Sequence, residues 1–391
     1  MKAATASPES KKLARASNAF GLDLYGKLKA ETGNLVISPS SLTTALLMPY
    51  LGAKGDTASA MQKTLHLEGD AAEVQKGVGN LIGELSDGSR QVTLEMANRL
   101  YGDKAYPFEQ PFLDTTNRVF GAPLELVDFR TAFEPARATI NGWVEERTHQ
   151  RIKDLIPQNG LDNKTRLVLV NATYFQGDWQ HPFDKSQTAP APFIVKAKST
   201  VDVPMMHASG TFRVLEKDGM KMLELPYRAG AMKMLLVLPD AVDGLAKLES
   251  GLTAERFEGW SAALSEGEVD ISLPKLDLAP ANSLSLKEPL EALGMKIAFS
   301  NKADFTGIAK PPEPDQQLKI THVFHKAFVK LDEKGTEAAA ATAVVMGEKG
   351  TGAAPKRIEF KADHPFLFFI VDEASGLVLF LGRVSNPGTG K

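Results

Sequence analysis

The chain has 391 residues, of which 43% are hydrophobic and 24% are charged, and its formal net charge is −3. This composition is typical of a globular protein, and the scattered Lys and Arg residues do not indicate a nucleic-acid partner. The absence of cysteine excludes disulfides, thiolate metal sites and a cysteine nucleophile. No apolar run approaches the length of a membrane span, so no membrane partner is expected.

The first predicted elements are mainly helical. Residues 1–12 are rich in Ala, Ser and Lys without an apolar core, which predicts a flexible lead-in and not an intact signal peptide. Apolar residues at helical spacing predict a helix over residues 13–28, followed by a strand at Leu35–Ile37. Ser38 and Pro39 are typical of a helix start. A helix, a strand and a longer helix are then predicted at residues 73–86, 92–100 and 134–156.

After about residue 165 the pattern changes to β structure. Residues 166–175 form a nearly continuous apolar run, which predicts a strand buried on both faces. Strand-like segments recur from there to the C-terminus with helical segments between them, and no linker or repeat divides the chain. Helices that precede sheets within one body predict an α+β fold. We expect a single domain over residues 13–391.

An alanine-rich segment lies close to the C-terminus. Residues 333–346 read Glu-Lys-Gly-Thr-Glu-Ala-Ala-Ala-Ala-Thr-Ala-Val-Val-Met. Alanine favours helix, whereas Gly335 and the β-branched residues at the end of the segment favour extended chain. Small side chains at alternate positions suit a strand that slides between two others. We therefore predict a segment, beginning at Gly335, that is mobile at first and forms a strand later.

The sequence shows no enzyme motif. Its seven histidines do not form a metal-binding pattern. It also lacks a Gly-x-Ser-x-Gly nucleophile elbow and a phosphate-binding loop. Neither catalysis nor a cofactor or metal is expected, and a hydrolytic enzyme is the least favoured hypothesis.

Eight segments resemble motifs of the serpin family and occur in the family's order. They include Ile-Ser-Pro-Ser-Ser, Asn-Ala-Thr-Tyr-Phe-Gln-Gly-Asp-Trp and Asp-His-Pro-Phe. The eight segments lie at residues 37–57, 169–184, 203–206, 273–275, 293–308, 333–346, 360–370 and 382–387. The resemblance is to an inhibitory serpin of prokaryotic type. It implies the α+β serpin fold, with about nine helices around three β-sheets and an exposed reactive-centre loop over about residues 333–357.

The resemblance implies an inhibitor of serine proteases that acts as a suicide substrate. The protease cuts the loop and is trapped as an acyl-enzyme while the cut loop inserts into the main sheet. Insertion needs a hinge of small residues, which the resemblance assigns to Glu333, Gly335, Thr336, Glu337, Ala338, Ala339, Ala340, Ala341 and Thr342. A non-inhibitory serpin that acts as a binding protein or chaperone is the alternative.

The scissile bond is expected between Lys349 and Gly350. The family's loop geometry implies a cut about sixteen residues after Glu333. A lysine at this position fits the acidic pocket of a trypsin-like protease, so the expected target is trypsin-like or subtilisin-like. Met346, Gly350 and Arg357 stay open as other residues at the cut.

The resemblance also implies two groups of structural switch residues. The shutter, a polar cluster beneath the main sheet, consists of Ser38, Ser41, Asn171 and His325. The breach, where the loop enters the sheet, contains Trp179 and Lys275 beside Glu333. A solvent-exposed Lys275–Glu333 ion pair is expected there, with a contribution to stability of about 0–1 kcal/mol.

The expected partner is a serine protease in a covalent complex with a monomeric inhibitor, which can also form loop–sheet polymers. Lys76 is the only basic residue of the predicted helix 73–86, so no glycosaminoglycan partner is expected. The family resemblance favours an extracellular location, whereas the lack of a signal peptide in this chain leaves a cytoplasmic one open.

Overall fold

The computed structural model describes residues 5–87, 90–278, 280, 282–310, 313, 317–336 and 357–389. The helices of this part are α1 (Pro8–Leu28), α2 (Pro39–Tyr50), α3 (Gly55–Thr64), α4 (Ala71–Leu85), α5 (Gln110–Phe120), α6 (Phe133–Arg147), α7 (Leu245–Ser250), α8 (Ala254–Ala262) and α9 (Lys287–Ala292).

Two helix boundaries differ from the prediction. Helix α1 begins at Pro8 because the Ser7 side chain accepts a hydrogen bond from the Ser10 backbone N–H. The flexible lead-in predicted through residue 12 is therefore wrong for residues 8–12. Helix α6 ends at Arg147, since the chain turns at His149 and Gln150, both with positive φ.

The strands follow the same chain order. They are β1 (Leu35–Ile37), β2 (Val92–Asp103), β3 (Glu125–Val127), β4 (Leu167–Asp178), β5 (Ala189–Lys196), β6 (Ser199–Lys217), β7 (Met220–Pro226), β8 (Met232–Pro239), β9 (Ser265–Pro274), β10 (Leu276–Leu278), β11 (Leu284–Ser285), β12 (His322–Ala327), β13 (Val329–Leu331), β14 (Gly335–Thr336), β15 (Ile358–Lys361), β16 (Phe366–Asp372) and β17 (Val378–Val384).

These strands form two hydrogen-bonded networks. The larger has nine strands in the order β1-β17-β16-β8-β7-β6-β9-β15, with β5 paired to β6. Strand β6 is 19 residues long; its earlier part pairs with β5 and β9 and its end pairs with β7. The resemblance implies three sheets, whereas the hydrogen bonds define two networks. The larger network joins two of the sheets, because β6 continues from one into the other.

The smaller network is the main sheet of this structure. It has eight strands, with β10-β13-β14-β4-β12-β11 in order and β2 paired to the other edge of β4. Ten of the twelve residues of β4 are buried, which confirms the strand predicted from the apolar run. Helix α2 packs beneath β2 and β4, and α6 packs on the opposite face. Loop insertion would have to take place in this sheet.

Candidate functional site

Strand β4 changes partner along its length. Its residues 168–173 pair in parallel with β12. Farther along, Gly177 and Asp178 pair with Thr336 and Gly335 of β14, which also pairs with β13. Among the described residues, the sheet is thus open beyond the β12 ladder, between β4 (from Tyr174) and β13. We call this opening the insertion gap; β14 occupies its outer end.

The first two small residues of the predicted hinge lie within the sheet. Gly335 and Thr336 are buried, and a Cβ atom on Gly335 would overlap the carbonyl oxygen of Gly177. The prediction that the mobile segment includes these two residues is therefore wrong, because backbone pairing on both sides holds them. The other predicted loop residues, Glu337, Ala338, Ala339, Ala340, Ala341, Thr342, Met346, Lys349 and Gly350, lie outside the described residues.

An ion pair lies directly before β14. Lys275 Nζ is 2.7 Å from Glu333 Oε1, which also accepts a 2.8 Å hydrogen bond from the Thr188 hydroxyl. The Glu333 side chain is only 7% exposed and that of Lys275 32%, so the prediction of a solvent-exposed pair is wrong. Burial opposes the charged form of Glu333, but the hydrogen bonds from Lys275, the backbone and Thr188 outweigh it and lower the pKa of this carboxyl.

Trp179 fixes the turn between β13 and β14. Its indole Nε1 donates a 3.1 Å hydrogen bond to the carbonyl of Asp332, and its backbone N–H donates to the carbonyl of Lys334. The indole is buried and stacks on the ring of Tyr227, with centroids 4.5 Å apart. Tyr227, between β7 and β8, was not predicted from the sequence, since its contact with Trp179 depends on packing between the two sheets.

The four shutter residues form one connected cluster with a fifth residue, Asn98. The Asn171 amide nitrogen donates to the hydroxyl of Ser41 at 2.7 Å and to Oδ1 of Asn98 at 2.6 Å. Ser41 also donates to Asn98, at 2.9 Å, and all five residues are buried. Asn98 was missed by sequence analysis, although an asparagine within the apolar strand 92–100 is a signal that could have identified it.

The cluster crosses three strands at one level. Asn98 of β2 lies opposite Asn171 of β4, which lies opposite His325 of β12. The side chain of Asn171 therefore lies between the other two. At the start of α2, Ser41 contacts Asn171, and the Ser38 backbone N–H donates to His325. This arrangement ties β4 to β12 where the insertion gap ends.

His325 is neutral in this cluster. Its Nε2 accepts a 3.1 Å hydrogen bond from the Ser38 backbone N–H, so Nε2 carries no proton. Its Nδ1 is hydrogen-bonded to Oδ1 of Asn171 and must therefore be the donor. Complete burial disfavours the imidazolium and lowers the pKa of His325 to about 3.

Arg357 holds the chain at the far end of the loop. Its guanidinium is 2.7 Å from Asp270 and 3.7 Å from Glu268, both on β9. The next residue, Ile358, begins β15, which pairs in parallel with β9. The structure thus fixes the chain on both sides of residues 337–356, at Thr336 and at Arg357.

The described part of the chain shows neither a metal-binding cluster nor a membrane-spanning helix. It contains no group of three or more His, Asp or Glu side chains that could hold a metal ion. None of its helices has the length and apolar character needed to cross a membrane.

A family model described as Serpin (serine protease inhibitor) matches residues 15–387. The chain belongs to the serpin family. A relative from Bos taurus, named leukocyte elastase inhibitor, is 40% identical over 385 residues, which cover 96% of this chain and 99% of the relative. The structure of Serpin48 of the insect Tenebrio molitor has a TM-score of 0.86 at 33% identity and covers 97% of this chain and 99% of its own. Uncleaved ovalbumin has a TM-score of 0.84 at 31% identity, with coverage of 96% and 100%.

These comparisons confirm the serpin fold and its α+β class. Membership of a family of protease inhibitors also confirms that this serpin is an inhibitor of serine proteases and not an enzyme. The prokaryotic type suggested by the sequence finds no support, since the named relatives include a mammalian and an insect protein. Their names give no support to an extracellular location either.

Proposed function

We propose that this serpin traps its target protease by inserting the cut loop into the insertion gap. The observation that carries the proposal is β14: Gly335 and Thr336 are already paired with β4 on one side, and Thr336 with β13 on the other. A strand that begins in the gap can be extended by the residues that follow it. The proposed hinge therefore consists of the pair already inserted together with residues 337–342.

The reaction begins as ordinary proteolysis. The protease serine attacks the carbonyl carbon of the residue before the cut, the peptide bond breaks, and the new amine leaves with the C-terminal fragment. The acylated segment then enters the sheet and carries the protease with it, before water reaches the ester. Insertion supplies the free energy that moves the protease, because it adds a strand to an incomplete sheet.

The shutter and the breach have separate roles in this proposal. The shutter, with Asn98 added, holds β4 and β12 together until the inserting strand separates them. The breach pair Lys275–Glu333 and the hydrogen bonds of Trp179 hold the turn from which β14 starts. In this proposal each of these residues acts on loop insertion and not on recognition of the protease.

We place the cut at Lys349-Gly350 and propose a trypsin-like target. Arg357, one of the alternatives, directly precedes β15 and is paired with two carboxylates of β9, which disfavours it as the residue at the cut. The bovine relative is named for elastase, whose pocket is small and does not suit a lysine. The expected product is a covalent 1:1 complex of a monomeric serpin, formed without a cofactor.

The experiment is incubation with trypsin and, in parallel, with leukocyte elastase. Trypsin is expected to give a complex that survives denaturing electrophoresis and to release a peptide that begins at Gly350, identified by mass spectrometry. Lys349→Ala is expected to abolish the trypsin complex while the thermal unfolding midpoint stays unchanged. Lys310→Ala, an exposed lysine outside the loop, serves as the matched control and is expected to form the complex normally.

Two results would contradict parts of the proposal. A complex with elastase and a peptide that begins elsewhere would refute the cut site and the trypsin-like target, but not the trapping mechanism. Cleaved chain without any covalent complex, for both proteases, would refute trapping by loop insertion.

A further inference from the structure

The side chain of Thr336 is bound to a residue of the other sheet. Its hydroxyl lies 2.6 Å from the hydroxyl of Tyr227, and neither side chain is exposed to solvent. Thr336 is the last described residue before the loop segment. A contact to this hydroxyl therefore acts directly on the point from which the loop leaves the sheet.

Tyr227 is held rigidly where it meets Thr336. Its backbone N–H donates to the carbonyl of Met232 at 3.0 Å, within the turn between β7 and β8. Its ring is stacked on Trp179, and the ring of Phe175 approaches it edge-on with centroids 5.1 Å apart. Because the ring cannot follow a departing strand, the hydroxyl marks a fixed position in the insertion gap.

The two hydroxyls need each other while both are buried. A buried hydroxyl that loses its partner carries the full cost of desolvation, whereas two apolar groups of the same shape in the same place carry almost none. Burial also raises the pKa of Tyr227 far above its usual range, so the phenol stays neutral and the contact persists at all physiological pH values.

We infer that Tyr227 is a positioning residue for inhibition: its hydroxyl holds Thr336 inside the insertion gap and so sets the point from which loop insertion starts. With Thr336 held, insertion continues an existing strand. When either hydroxyl has lost its partner, Thr336 leaves the gap more often, and insertion after cleavage has to begin again from outside the sheet. The consequence for inhibition rests on the proposed function, but the effect on the hinge does not.

Hydrogen exchange followed by mass spectrometry tests the effect on the hinge without any protease. The variants are Tyr227→Phe, Thr336→Val and the double variant. Each single variant leaves one buried hydroxyl unpaired, so amide exchange in a peptide covering residues 333–336 is expected to be about tenfold faster than in the wild type. The double variant has no unpaired hydroxyl and is expected to return to within about twofold of the wild-type rate.

Tyr101→Phe is the matched control. It removes the hydroxyl of another fully buried tyrosine, on β2 of the same sheet, and is expected to leave exchange in residues 333–336 unchanged. Unchanged exchange in both single variants would overturn the inference. The inference would also be overturned if the increase in exchange rate in the double variant equalled the product of the increases in the two single variants. Such independent effects would indicate general damage to packing and not the loss of one shared contact.

The stoichiometry of trypsin inhibition tests the consequence. The single variants are expected to need several-fold more serpin per protease, because slower insertion lets more acyl-enzyme hydrolyse, and the double variant is expected to recover. Recovery of exchange without recovery of stoichiometry would overturn the link to inhibition. If the wild type traps no protease, the proposed function fails, while the exchange experiment still decides whether Tyr227 holds the hinge.

Discussion

His325 gives the shutter a dependence on pH. The pKa of its imidazole is lowered to about 3 from an unfolded value of 6.5, so only the unfolded state takes up a proton between these values. The stabilisation from neutral His325 is full above pH 6.5 and is lost as the pH falls toward 3, by about 1.4 kcal/mol per pH unit.

His325→Gln is expected to remove this dependence. Glutamine can accept from the Ser38 N–H and donate to Asn171, but it does not titrate. Between pH 7 and pH 5 the free energy of unfolding, from urea titrations, is expected to fall by about 2 kcal/mol more in the wild type than in the variant. His181→Gln, at an exposed histidine, is the control and is expected to behave as the wild type. Equal losses in the wild type and His325→Gln would refute this account.

Single residues of the site were predictable from the sequence where a polar side chain interrupts an apolar strand. Asn171 lies in such a strand but was assigned through the family resemblance, and the same signal was present and unused for Asn98. The sequence around Tyr227 gives no comparable signal for its contacts, because a tyrosine directly after a strand is common in proteins. Only the packing of one sheet on the other shows which hydroxyl it meets.

The two faces of an inserting strand differ in their surroundings. Side chains alternate along a strand, so residue 338 would follow Thr336 onto the face that contacts Tyr227. If the register of β14 continued, residue 338 would lie opposite Phe175, whose ring lies in the core. Residue 337 would lie opposite Gln176, which is only half-buried, and the native residue there is already charged.

Ala338→Arg is therefore expected to convert this serpin into a substrate. A buried unpaired charge costs several kcal/mol, which slows insertion below the rate of deacylation. Electrophoresis after incubation with trypsin is expected to show cleaved chain and active protease in place of the complex. Glu337→Arg is the matched control, since an inserted residue 337 would face the half-buried side, and it is expected to remain an inhibitor. Trapping by Ala338→Arg at the wild-type stoichiometry would rule out insertion as assigned here.

Elements with a sustained pattern of apolar residues were predicted correctly from the sequence. Elements whose bounds depend on contacts with distant residues were not. The strand at residues 166–175 and the opening helix follow from hydrophobic pattern. The end of α6 at Arg147 and the two-residue strand β14 do not, because a turn with positive φ and a strand of this length leave no periodic trace. The alanine-rich sequence indicated a strand former without indicating that its start is already in the sheet.

For the whole molecule, cleavage in the loop is expected to raise thermal stability. The inserted strand adds two backbone ladders to the main sheet, whereas a nick lowers the stability of most globular proteins. The midpoint of thermal unfolding is expected to rise by more than about 10 °C after trypsin cleavage, measured by circular dichroism on the isolated cleaved chain. Cleaved Ala338→Arg provides the comparison and is expected to show little or no rise. An unchanged or lower midpoint for the cleaved wild type would show that the loop does not insert.

The register of β14 also determines where insertion becomes difficult. Thr336 lies opposite Gly177 of β4 and Leu331 of β13, and antiparallel pairing advances one residue at a time on both sides. Residues 337–339 would therefore enter a stretch in which β4 and β13 share no ladder in the described structure. No existing pair has to be broken for these three residues.

Ala340 is the first residue whose insertion would require an existing strand pair to be broken. It would come between Thr173 and Ala327, the last pair of the parallel β4–β12 ladder. From there each further inserted residue would replace one parallel β4–β12 pair with two antiparallel pairs, one on each side of the inserting strand. Thr342 would reach Asn171 and His325 at the same time. The cost of parting β4 from β12 would thus begin at Ala340, four residues beyond Thr336, and not where the loop enters the sheet.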